Sequence, residues 1–181
     1  NEVDRAILSA LRRSTDVIVT GGNTARLESY RKPKTAGLAI VTASADLSGI
    51  PAVLDSSGDR VLIFTPAEGV LRAKKDYDDM HIAVSELRDS KDAPTGHIRA
   101  LNALRDAGKS RLLVESGVAI VGKLAQAKKL DQICIVLTKK PSETFSHRHI
   151  TPTWLGVSSS EYRLKMLAVS TDTLLTVWSA T

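Results

Sequence analysis

Asp16-Val17-Ile18-Val19-Thr20-Gly21-Gly22-Asn23-Thr24-Ala25-Arg26-Leu27-Glu28 changes its hydrophobic period at its glycines. Residues 16–20 form a short run rich in β-branched side chains with no polar alternation, as a strand covered on both faces requires. Gly21-Gly22 stops the strand, and a helical turn follows over Thr24 to Ser29. The same form returns at Val114-Glu115-Ser116-Gly117-Val118-Ala119-Ile120-Val121-Gly122. There a strand over Arg111 to Val114 halts at Glu115-Ser116-Gly117. A helix then runs from Gly117 to about Lys128, with Ile120, Val121 and Leu124 buried.

The rest of the chain repeats this grammar. Val3, Ile7, Ala10 and Leu11 recur at helical spacing, so the chain opens with a helix ending near Ser14. Leu38–Val41 and Val61–Phe64 read as further buried strands, residues 66–76 as a helix, and His81–Val84 as a strand. Thr95 caps a helix on which Ile98, Leu101 and Leu104 share a face, ended by Gly108. Ile133-Cys134-Ile135-Val136-Leu137 is a long apolar strand, and its thiol is expected to pack in the core. Residues 141–160 are polar and irregular. Tyr162, Leu164 and Met166 then alternate with Arg163 and Lys165, a strand with one wet face. Thr171-Asp172-Thr173 turns the chain back into Leu174–Trp178. Strand–helix units closed by a hairpin imply an α/β domain: a mostly parallel central sheet flanked by helices with a C-terminal antiparallel hairpin. No repeat or linker divides residues 1–181, so a single domain is expected.

Composition narrows the function. Of 181 residues, 43% are hydrophobic and 25% charged, which excludes a disordered or fibrous chain. No apolar run approaches the ~20 residues of a membrane span, and no signal peptide is visible, so a cytoplasmic setting without membrane contact is expected. The net charge of +5 comes with only 4% aromatic residues and scattered Lys and Arg. That pattern fits a small phosphorylated ligand better than a nucleic-acid track. One cysteine leaves no intrachain disulfide and no Cys-rich zinc site. His147 and His149 flank Arg148 without a third ligand, so no metal is expected.

Open α/β sheets bind ligands at the carboxyl ends of their strands, where helix N-termini offer N–H groups to anions. The two glycine junctions have that form. Neither is the G-x-G-x-x-G fingerprint nor the Walker pattern. From the residues alone the reading is a nucleotide- or phosphate-binding α/β domain.

Taken in order, the motifs resemble the reductase domain of the riboflavin-biosynthesis deaminase–reductases, a stand-alone reductase with a dihydrofolate reductase-like fold. The family has a helix with Leu-Arg, a Gly-x-Gly-Thr-x-x-x-Asp/Glu segment, Val-Glu-Gly-Gly, then Val-Asp-Glu-Leu before a long strand. Here stand Leu11-Arg12, Gly21 to Glu28, Val114-Glu115-Ser116-Gly117 and Leu130-Asp131-Gln132-Ile133. The resemblance covers about residues 1–140 in register. It implies an NADPH-dependent homodimer that reduces 5-amino-6-(5-phosphoribosylamino)uracil to the ribitylamino product by hydride transfer. Carried over, Gly22, Thr24 and Glu28 lie along the cofactor and Ser44 near its adenosine phosphate. Ser116, Gly117, Val118, Ala119, Ile120 and Gly122 take the pyrophosphate. Arg12, Arg31 and Glu115 meet the substrate, with Lys32 and Lys34 beside Arg31. Glu28 and Glu115 are the acids carried over as catalytic.

The chain departs from the pattern in several places. The family's first strand has no counterpart before Asn1, Lys139-Lys140-Pro141 replaces a Gly-Gly, Ser116 replaces a glycine, and Glu28-Ser29 replaces Asp-Pro. The deaminase's H-x-E and P-C-x-x-C segments need more than one cysteine, so only the reductase is implied. Plainer roles also fit. Glu28 early in a helix favours the dipole, Arg12 late in a helix compensates it, and Arg31, Lys32 and Lys34 make a wet charged turn. His81 and His97 have no partner visible in sequence, and Trp154 and Trp178 pack in the core or at a subunit contact. A pterin or dihydrofolate reductase on the same fold and a non-catalytic nucleotide-binding protein remain as alternatives.

Overall fold

The computed structural model describes residues 2–55, 61–77, 82–87, 93–139, 145, 150–158 and 160–181. The chain forms two compact units, Leu11–Gly117 and a second built from Asn1–Ala10 with Val118–Thr181.

The first unit carries a parallel sheet of β1 (Val17–Gly21), β2 (Gly37–Val41), β3 (Val61–Thr65), β4 (Ile82–Glu86) and β5 (Leu112–Val114), in the order β4-β3-β2-β1-β5. Its central strands β1 to β3 follow the expected runs because both their faces are covered. Every residue of β1 is buried, and β2 is buried from Leu38 to Val41. Ile18, Leu38, Ile40, Val61 and Ile63 join Leu47, Ile50 and Val53 in one cluster. Burying a side chain of this size stabilises by about 1.5–3 kcal/mol before chain entropy is counted.

The helices of this unit are the C-terminal turn of α1 (Glu2–Arg13), α2 (Gly22–Leu27), α3 (Pro51–Leu54), α4 (Ala67–Tyr77) and α5 (Ala93–Asp106). α5 begins before Thr95, which lies inside its first turn and is not its cap. It ends as expected at Gly108, whose φ of 80° lets Gly108 and Lys109 donate back to Arg105 and Leu104. Asp16 ties the start of β1 to β5. Its carboxylate accepts from the N–H groups of Ser110 (3.0 Å) and Arg111 (2.9 Å) and from the Arg111 guanidinium.

In the second unit, α6 (Val118–Gln126) accompanies an antiparallel sheet of β6 (Gln132–Thr138), β7 (Tyr162–Val169) and β8 (Thr173–Ala180), in the order β6-β8-β7. The hairpin is present, but the antiparallel strands form a sheet of their own that takes in β6, and do not edge the parallel one. Ile133 and Ile135 face a cluster with Leu155, Val157, Tyr162 and Trp178. Trp178 is buried and donates from Nε1 to Thr176 Oγ1 at 3.0 Å, whereas Trp154 is partly exposed. Cys134 corrects the expectation of a core thiol. It alternates with Ile133 and Ile135 and is exposed. A continuous apolar run does not distinguish a strand covered on two faces from one covered on a single face.

β7 is corrected as well. A bulge between Leu164 and Met166 sets Leu164 opposite Trp178 and Met166 opposite Val177. Those two side chains therefore leave on opposite faces, and every residue from Arg163 to Val169 is exposed. Of the 141–160 segment, residues 152–155 form a 3-10 turn with Leu155 buried. His81, His147 and His149 lie outside the described residues.

Candidate active site

β1 is the first strand of the sheet, yet it lies between β2 and β5. The chain winds from β1 through β4 on one side and returns to place β5 on the other. That reversal is the topological switch point, and ligands of open α/β sheets sit beyond the strand carboxyl ends there. The two glycine junctions are the carboxyl ends of these two strands. The pairing runs one residue past β5, since the Glu115 N–H donates to the Val19 carbonyl at 2.9 Å.

Glu115 is the centre of a polar corner. Arg12 grips it through two parallel bonds, Nε to Oε1 at 2.9 Å and Nη2 to Oε2 at 2.5 Å. Tyr30 donates its hydroxyl to Oε2 and accepts from Arg12 Nη2 at 3.0 Å. The guanidinium also stacks over the phenol ring, 5.2 Å from its centroid. The Glu115 side chain is 13% exposed and that of Arg12 34%. The hydrogen bond to Glu115 holds the Arg12 guanidinium above its usual range. Burial, then the Glu115 carboxylate, push the Tyr30 phenol up. A fork of this kind fixes both partners in orientation as well as charge. It also leaves the N–H groups of Arg12 Nη1 free of the corner, available to a carbonyl or anionic oxygen.

Tyr30 was not visible from the sequence. It reaches Glu115 because Ser29 takes a left-handed conformation (φ 48°) that closes α2, with Ser29 donating to Arg26 and Tyr30 to Ala25. Arg12 and Glu115, both carried over as substrate residues, are brought together although 103 positions apart in the chain. Arg12 is therefore more than a helix-end charge.

The remaining expected residues are dispersed. Gly22 is buried, and a Cβ there would stand 3.1 Å from Thr42 Cβ, so its bareness serves packing. Thr24 is half-buried, and its carbonyl accepts from the Glu28 N–H. Glu28 is exposed at the C-cap of α2, so a favourable dipole does not explain it. Its side chain has no hydrogen-bond partner among the described residues. Ser44 is exposed, its Oγ accepting from the Asp46 N–H, and Arg72 donates to its carbonyl at 3.0 Å. Arg72 is a second cation that the sequence did not single out. Arg31 and Lys34 are exposed and Lys32 half-buried, directly after Tyr30.

Gly117 differs from Gly22, for a Cβ there would meet nothing within 4 Å. Among the described residues, no backbone carbonyl accepts from the N–H of Ser116 or of Gly117. In the other unit, Val118 and Ala119 are exposed at the start of α6 and Ile120 is half-buried. A Cβ on Gly122 would stand 2.8 Å from the Leu155 carbonyl, so that glycine is required by packing. Among the described residues, no group of three or more His, Cys, Asp or Glu could hold a metal, and no helix is long and apolar enough to cross a membrane.

An α/β fold with its polar corner at the switch point defines the class. The particular proteins it is similar to are found by structure. No protein-family model matches the chain, and no curated protein matches it in sequence. Among solved structures it is similar to a pyrimidine reductase-like protein from Corynebacterium diphtheriae, with a TM-score of 0.71 at 17% identity, over 100% of this chain and 82% of that one. It is similar to a deaminase/5-amino-6-(5-phosphoribosylamino)uracil reductase from Thermotoga maritima, with a TM-score of 0.66 at 14% identity, covering 98% of this chain and 48% of that one. The riboflavin biosynthesis reductase of Saccharomyces cerevisiae gives a TM-score of 0.63 at 10% identity, over 98% and 80% of the two chains. The chain spans about half the length of the bifunctional protein. The shared fold is the dihydrofolate reductase-like α/β fold expected from the sequence.

Proposed function

We propose that the chain is an NADPH-dependent pyrimidine reductase, reducing 5-amino-6-(5-phosphoribosylamino)uracil to its ribitylamino product. The observation that carries this reading is the Arg12–Glu115–Tyr30 corner at the switch point of a fold shared with such reductases. When bound, NADPH supplies the hydride. The residues present fit a dinucleotide. Ser116 and Gly117 bring N–H donors without backbone acceptors, and Gly117 leaves room for close approach.

In this reading Ser116, Gly117 and the α6 residues Val118, Ala119 and Ile120 serve the cofactor's diphosphate, while Gly122 lets α6 pack against Leu155. Gly22, Thr24 and Glu28 lie along the cofactor, and Ser44 with Arg72 takes its adenosine phosphate. Glu115 fixes Arg12, whose Nη1 donors hold the substrate. Arg31 supplies positive charge for the substrate phosphate. Glu28, open to water, exchanges the proton that balances hydride addition. Both compact units belong to one reductase domain, acting as a cytoplasmic homodimer.

Calorimetric titration with NADPH, with NADH as control, tests the cofactor, and oxidation of NADPH that depends on the ribosylaminopyrimidine phosphate tests the substrate. A chain that binds neither dinucleotide overturns the reading. Turnover of dihydrofolate without turnover of the pyrimidine replaces the substrate with a pterin. Light scattering tests the dimer.

A further inference from the structure

His97 stands on α5 and is 1% exposed. A buried imidazole is costly unless its ring nitrogens find partners. Its Nε2 lies 3.2 Å from Ser116 Oγ, and it is the one described histidine that reaches the junction after β5. The neighbours of Ser116 show why this contact matters. Glu115 is fixed on one side, by its N–H on Val19 and by its carboxylate on Arg12 and Tyr30. Gly117 has no side chain, and beyond its chain neighbours no atom of the described residues stands within 4 Å of where one would begin. Ser116 is thus the last residue of the loop whose side chain can be gripped before α6 opens. Without that grip its χ1 would sample three staggered wells, and the loop would have to be ordered when a ligand arrives.

We infer that His97 is a positioning residue for dinucleotide binding, which acts through Ser116 to hold the N–H groups of residues 116 and 117 in place for the cofactor's phosphate oxygens. This rests on the reductase reading for the identity of the ligand. It does not rest on which reaction follows. The imidazole is buried and holds the hydroxyl of Ser116, so its effect on the ligand falls on affinity and passes through that hydroxyl. The geometry also specifies which ring nitrogen matters. The amide of a glutamine reaches about as far as Nε2, and that of an asparagine only as far as Nδ1.

The test is a calorimetric NADPH affinity series on the full chain, with thermal melts on each variant. Ser116→Ala is expected to raise the NADPH Kd about tenfold, the loss of roughly one hydrogen-bonded constraint. His97→Leu should raise it by a similar factor, and the double variant by no more than either single one. His97→Gln should restore most of the affinity, whereas His97→Asn should not. At saturating NADPH, kcat should fall far less than the affinity. Losses in the two single variants that multiply, or His97→Gln no better than His97→Leu, would overturn the inference. If His97→Leu does not fold, Ser116→Ala still decides, because unchanged affinity in that variant overturns the role. A wild-type chain that binds neither dinucleotide overturns the reductase reading and this role with it. A wild-type chain that binds, beside variants that bind as well, overturns the role alone.

Discussion

The two strand–glycine–helix junctions look alike in sequence and differ in physics. At the first, Gly22 is bare because Thr42 stands against it, and the charged side chain fixed nearby, Arg26, is held by Asn23 and by the loop residues Asp46 and Ser48. At the second, Gly117 faces open space, and the two residues before it are each held by side chains from distant elements. The glycine of the first junction is a packing solution, and that of the second leaves a prepared surface. Glycine at a strand end therefore has two meanings, separated by what a Cβ would meet.

The largest effect expected from this contrast is on catalysis. Glu115→Gln removes the charge that aligns Arg12, and pyrimidine-dependent NADPH oxidation should fall about 100-fold in kcat/KM. A loss below about threefold would mean that the corner is scaffolding. Tyr30→Phe deletes both hydroxyl bonds of the corner and keeps the ring, so urea unfolding should show a loss of about 1–2 kcal/mol.

The glycines themselves give a sharper and smaller test. Gly22→Ala should destabilise by about 1 kcal/mol as Thr42 is displaced. Gly117→Ala should leave stability within about 0.5 kcal/mol and weaken NADPH binding instead. Identical behaviour of the two variants would break the comparison.

The smallest effect is a matter of pH. The backbone N–H and guanidinium of Arg111, with the N–H of Ser110, hold the Asp16 carboxyl at about 2 against its ordinary 3.8. A depressed carboxyl contributes stability in full above its unfolded pKa and loses it as the pH falls toward the folded one. The stability gap between wild type and Asp16→Asn should therefore be steady above about pH 4 and close toward about pH 2. Urea unfolding across that window checks it.

How much of this could be read in the sequence follows from what each signal encodes. β1, β2 and β3 were legible because strands covered on two faces leave uninterrupted apolar runs. β6 leaves the same trace while being covered on one face, and so Cys134 reads as a core thiol although it is exposed. β7 was misread at its bulge, since an inserted residue inverts the period on which alternation depends. Arg12 and Glu115 stand out through motif order. Tyr30 was not, because its position depends on Ser29 adopting a conformation uncommon for a residue with a Cβ. His97 shows no partner in the sequence for a related reason: Ser116 lies 19 residues away, across a strand and a turn. Local period describes an element's own faces and carries no information about which side chains meet beyond it.

Cys134 is the sole cysteine of the chain, and it is exposed on a three-stranded sheet. The pairing register sets it beside Val177, which pairs in turn with Met166. The protein thus carries its own single-site chemical handle, in the middle of an apolar row. A thiol-reactive dye should attach once per chain without any engineering. Its reaction rate, followed against protein concentration, becomes an optical gauge of whether that row stays open to water or is shielded when two chains meet.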